Sequence, residues 1–177
     1  MRMIVAVALC LIASVSNAGA QQTSSDQESS TQDSHNSCPM HDTHAKMNER
    51  GEKGMGFSQT DTTHHFFLNS SGGVIQVEVK DSAGVSYRAN IRMHLTHIAK
   101  AFENGDFDIP MFVHDTVPPG VPEMKRLREQ IHYSFEETPN GGRVVISSTS
   151  KEALAAIYMF LRFQIEEHKT GDSMEIR

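Results

Sequence analysis

The sequence predicts an α+β fold, in which a tandem ββα repeat gives a four-stranded antiparallel sheet with helices on one face, preceded by a disordered arm. Three observations carry that expectation. The stretches "HHFFLNSSGGVIQVEVKD" and "IHYSFEETPNGGRVVISS" both read as hairpins around glycine turns. Each is followed by apolar residues at helical spacing. Residues 21–36, "QQTSSDQESSTQDSHN", hold no large apolar residue, so they cannot bury enough surface to offset chain entropy.

Taken in order, residues 1–20 have the form of a secretory leader. Arg2 is the positive region, Ile4 to Ala13 is an apolar run, and "NAGA" ends in small residues suited to cleavage after Ala20. That run is too short to span a membrane. An exported chain, periplasmic or secreted, is expected. Residues 21–57 stay polar and glycine-dotted and are expected to form the arm, offering almost no apolar surface to a core.

The body is expected to run from 58 to 177, with repeats at about 62–106 and 131–172. In the first hairpin Ile75, Val77 and Val79 alternate with Gln76, Glu78 and Lys80, the pattern of a half-buried strand. The helix after it carries Ile91, Leu95, Ile98 and Phe102 on one stripe and ends near Gly105. A proline-bearing connector, "FDIPMFVHDTVPPGVP", is expected to be irregular, with a short helix over "EMKRLREQ". The last helix is expected to start at Ser150 as N-cap and to end before Gly171. "IRMHLTHIAKAFENGD" (91–106) aligns without a gap over "IYMFLRFQIEEHKTGD" (157–172), and "SSGG" aligns over "PNGG". In this register His65 and His132 are equivalent and point to the sheet face away from the helices.

Charge limits the partners. With Arg2 removed alongside the leader, 15 Lys and Arg stand against 22 Asp and Glu, a net charge of about −7. That argues against nucleic acid, whose phosphates need a basic patch, and suits cations. All ten His and eight of the ten Met lie beyond residue 20, with a single cysteine, Cys38. One cysteine makes no internal disulfide, which leaves it as a reactive group, an intermolecular partner or a ligand.

The stretch "SCPMHDTHAKM" (37–47) gathers Cys38, Met40, His41, His44 and Met47. Thiolate, thioether and imidazole together suit Cu(I); thiolate and imidazole also suit Zn(II). A second candidate group is Met93, His94 and His97 on the first long helix, where two His at i, i+3 can share an ion. His114 and the pair His64-His65 are candidate third ligands for it. No glycine-rich phosphate loop, Gly-x-Ser-x-Gly or His-Glu-x-x-His occurs, so no catalysis is expected.

The tetrapeptide Cys38-Pro39-Met40-His41 resembles the core of the short heavy-metal-binding domains of bacterial copper and silver efflux proteins. That family has an aromatic residue before the cysteine and a proline after the histidine, whereas here Asn36-Ser37 and Asp42 occupy those places. The stretches "KGMGFSQTDTTHHFFL", "IRMHLTHIAKAF", "MFVHDTVPPGVP" and "FLRFQIEEHKTGD" resemble a small family of exported bacterial proteins of unassigned role. Some of its members carry an aspartate carbamoyltransferase label. The Ser-Thr-Arg-Thr phosphate motif of those enzymes is absent here.

Together these features point to an exported protein that binds a soft metal, copper before zinc, for sequestration or delivery. Two alternatives stay open. The body would dock an envelope protein through its open sheet face or its connector, or pair with a second copy through that face, with the arm as a tether, or it would act on a small molecule at a pocket near His94 and His114.

Overall fold

A computed structural model describes residues 39–80 and 85–177 of the protein. The leader, the arm as far as residue 38 with Cys38, and the side chains of Met40, His41 and His44 lie outside the described residues.

The elements run α1 (Pro39–Met55), β1 (Thr62–Asn69), β2 (Gly72–Val79), α2 (Val85–Glu103), α3 (Asp108–His114), α4 (Val121–Arg126), a 3-10 turn (Arg128–Gln130), β3 (His132–Thr138), β4 (Gly141–Ser147) and α5 (Lys151–His168). The fold is α+β. Its four strands form one antiparallel sheet in the order β1-β2-β4-β3. At the centre of the β2–β4 pairing, Ile75 lies opposite Val144. Alternation then puts Phe66, Leu68, Val77, Tyr133, Val144 and Ile146 on one buried face, against Ile91, Leu95 and Phe102 of α2 and Ile157, Phe160 and Leu161 of α5. The opposite face carries His65, Phe67, His132 and Arg143, as the strand register predicts. The elements follow one another as ββα and ββα, but a duplicated unit does not follow from strand order alone: α3 and α4 intervene, and α1 has no counterpart.

Local chemistry explains the helix ends. Ser150 Oγ accepts the N–H of Ala153 at the start of α5, and Lys169 closes the helix in the left-handed region at φ 50°. α3 falls in the stretch expected to be irregular. Pro110 is its third residue, a position whose N–H has no intrahelical acceptor, so the ring costs no hydrogen bond there. Asp106 Oδ1 accepts the Asp108 N–H at 2.9 Å and steadies the entry.

α1 corrects the expected extent of the arm. Residues 39–55 are helical, and Met47, Gly51 and Met55 face inward along it. Met47 and Phe57 are each 3% exposed. Arg50 Nε donates to the Val113 carbonyl at 2.9 Å, tying α1 to α3. Two of the residues on this face have no side chain, Gly51 beneath the Gln59 side chain and Gly54 against Phe112 and Val113 of α3, so the face gives little apolar signal in the sequence. The segment therefore does offer surface to the core.

After α5 the chain turns at Gly171 and lies along the outer edge of β1. Asp172 Oδ2 accepts the Phe66 N–H at 2.9 Å, Asp172 Oδ1 lies 3.0 Å from His65 Nδ1, and the Arg177 N–H donates to the Leu68 carbonyl at 3.2 Å. Replacing Asp172 with Ala should leave the Phe66 N–H without its acceptor, at a cost of about 1–3 kcal/mol. Hydrogen exchange should show the Phe66 amide losing protection. Unchanged protection would mean that the carboxylate does not hold this edge.

Candidate functional site

The sheet and the two long helices line a partly open apolar cavity of about 70 Å3. Its walls explain why it exists. α2 contributes His94, Ile98 and Phe102; α5 contributes Phe160, Gln164 and His168. β1 adds His64 and Phe66, α3 adds Pro110, Val113 and His114, and Met55 at the end of α1 closes one side. Four imidazoles thus converge from four elements that are far apart in sequence.

The rings touch. His64 and His168 are parallel with centroids 5.8 Å apart, and His114 meets His168 at 5.1 Å, nearly perpendicular. Phe57 stacks on His64 at 6.2 Å and presents its edge to His94 at 5.6 Å, shielding both from water. The charged form of imidazole is costly in such surroundings. Burial first, and then the neighbouring His94, His65 and Lys80, push His64 down to about 4. Burial, with a smaller contribution from His97, takes His94 down to about 4. His114 is also lowered by burial, against the opposing pull of its hydrogen bond to Gln164 and of the Glu167 charge. The three are neutral at physiological pH, with ring lone pairs free of protons.

Two of those lone-pair-bearing positions are buried without a partner: His64 Nε2 and His114 Nδ1. The opposite nitrogen of His114 is engaged, with Nε2 donating to Gln164 Oε1 at 3.0 Å. A donor bond of that kind fixes the tautomer and leaves Nδ1 as the acceptor, as in the outer shells of metal-ligating histidines. Gln164 Nε2, an N–H donor on the same wall, is a third such atom, and buried polar atoms in native proteins are nearly always paired, so the cavity calls for an occupant.

The structure sorts the residues singled out from the sequence. His94 lines the cavity, and so do His114 and His64, two of the expected third ligands. Of the helical group Met93, His94 and His97, Met93 and His97 are exposed, and only His94 lines the cavity. The physical reason is helix geometry: Met93 and His97, four residues apart, share the outer face of α2, while His94 turns towards Phe57. His65 pairs with Asp172 on the opposite sheet face. Met47 packs under α1 and is not among the cavity lining. His168 was not expected. Its signal was available, because the alignment puts it over the core residue Phe102.

Among the described residues, no three or more His, Cys, Asp or Glu lie close enough together to hold a metal ion as they stand. No described helix is long and apolar enough to cross a membrane. No family model, curated protein or solved structure matches the chain.

Proposed function

We propose that this is an exported soft-metal-binding protein, with copper as its foremost ligand, that sequesters or delivers the ion without catalysis. The observation that carries the reading is the pair of buried, unpartnered ring nitrogens, His64 Nε2 and His114 Nδ1, opening on one apolar cavity with His94 and His168 beside them. Neutral imidazole is the ligand form of histidine, and burial keeps these rings neutral without metal. The segment with Cys38, Met40, His41 and His44 supplies soft donors just ahead of, and at the start of, α1, the helix whose far end reaches the cavity at Met55. The proposed path is capture by that segment and storage in the body.

The test is titration of residues 21–177 with Cu(I) and Zn(II), read by native mass spectrometry and by competition against a Cu(I) chelator. Copper should bind at micromolar concentration or tighter. Cys38→Ser with Met40→Ala should remove one class of site, and His64→Gln with His114→Gln another. A chain that takes up neither metal at micromolar concentration overturns the proposal. Ordered water bonded to both nitrogens would then be the content of the cavity.

A further inference from the structure

Independently of the metal reading, we infer that the β3 edge is an interface with a second copy of this chain, in which the two β3 strands pair antiparallel about a two-fold axis at Ser134. Three features lead there: the direction of the backbone groups, the complementarity of the strand to itself, and the bareness of the edge.

The strand register gives the direction. The Phe66 N–H points out of the β1 edge, to Asp172. Across the sheet Phe66 lies opposite Ile75, Ile75 opposite Val144, and Val144 opposite Phe135. In an antiparallel ladder the N–H and C=O of one residue point to the same side. Ile75 and Val144 therefore face each other, and Phe135 faces outwards. Tyr133, two residues along, faces the same way. Among the described residues, no hydrogen bond is made to the N–H or C=O groups of Tyr133 and Phe135 on that side. On β1, Asp172 and Arg177 take the matching groups of Phe66 and Leu68.

The strand is complementary to itself in one register. With the axis at Ser134, Tyr133 lies opposite Phe135 of the second copy, and each such pair exchanges two main-chain hydrogen bonds. On the open sheet face the exposed His132 then lies opposite the exposed Glu136 of the second copy. Arg143 engages Glu136 through Oε2 alone, which leaves Oε1 for an imidazole N–H. Aromatic pairs and opposite-charge pairs are the combinations that stabilise antiparallel neighbours. Moving the axis to Glu136 would set that carboxylate directly against its own copy, which is destabilising. Moving it to Phe135 would set His132 against Thr138 and lose the charge pair.

Nothing in β3 guards this edge. Edge strands that must stay unpaired are blunted by Lys, by Pro or by bulges. "HYSFEET" contains neither residue, and its pairing with β4 runs residue for residue without a bulge. The Glu137 carboxylate is held by Arg92 of the same copy at 2.9 Å, so it does not stand unpaired against an incoming strand.

The experiment measures mass by sedimentation equilibrium on residues 21–177 and follows amide exchange by NMR. The wild-type chain should have twice the mass of one copy at micromolar concentration, with the Tyr133 and Phe135 amides protected. His132→Glu sets two carboxylates against each other, and the axis repeats the change, so the dissociation constant should rise about 10-fold or more. Adding Glu136→Lys restores an opposite-charge pair and should bring it back to within about 3-fold of wild type. Positions 132 and 136 of one strand are about 13 Å apart, so that rescue acts between copies. Both are exposed, and neither change touches the core. A double variant as weak as His132→Glu overturns the register. A wild-type chain that is monomeric at micromolar concentration overturns the pair. A protected Phe135 amide in that monomer would mean that another part of the chain lies on the edge, and a fast-exchanging one would leave the edge to a strand of a different protein.

Discussion

Phe57→Ala is expected to destabilise the body by about 3–5 kcal/mol, the range for deleting a buried phenyl ring. For a body of this size that lowers the thermal midpoint by roughly 10 °C or more. The expectation follows from where the ring sits. It is 3% exposed, it follows Gly56, which ends α1 at φ 75°, and it covers both His64 and His94. Its loss opens a void and lets water reach two imidazoles that burial keeps neutral. Two readouts should therefore move together. The melt should shift downwards, and the pKa values of His64 and His94 should climb back towards the ordinary histidine range. A midpoint within about 2 °C of wild type, a change of less than about 1 kcal/mol, would mean that residues 39–57 do not pack on the body.

Acid should destabilise the protein in a window set by the same rings. His64 and His94 are each held at about 4 in the fold, against about 6.5 for a free histidine. Between those values the unfolded chain binds more protons than the native one, so stability rises with pH across the window. The contribution is complete above about pH 6.5 and is lost as pH falls towards 4. Each tenfold difference in proton affinity between the folded and unfolded chain is worth about 1.36 kcal/mol, so two such groups together amount to several kcal/mol. Urea denaturation at pH 7 and pH 4.5 reads this directly, with a lower midpoint expected in acid. His94→Phe, which installs the residue type that α5 carries at Phe160, should flatten the dependence. A wild-type midpoint that is equal at both pH values would refute the burial of these imidazoles.

Much of the scaffold was legible because its signals are local. Alternating Ile75, Val77 and Val79, the glycine turns, the stripe Ile91, Leu95, Ile98 and Phe102, and the cap at Ser150 each report an element from a few neighbouring residues. The two missed helices fail that condition. α1 makes its contact face partly from Gly51 and Gly54, which a hydrophobic pattern does not register. α3 contains Pro110, which reads as a helix breaker unless the start of the helix is already known. The site was legible by halves. His64, His94 and His114 could be named as candidates from their setting in helix and strand. Which of them meet depends on tertiary closure, and spacing alone favoured His97, which shares a helix with His94 but looks outward. His168 shows the converse: the alignment laid it over Phe102, and a histidine at a core position is unusual enough to have been flagged.

The tail along β1 sets a limit on assembly. Asp172 and Arg177 occupy outward-facing groups of Phe66 and Leu68, whereas the ladder of β3 is to β4 alone. Among the described residues, the sheet is thus left with one edge on which another strand could add. Growth by strand pairing needs two open edges per copy, one to receive and one to offer. With the β3 side alone open among the described residues, two copies that met edge to edge would consume both available ladders and stop. While the tail stays in place, strand addition can end in a closed pair but cannot propagate into a fibre.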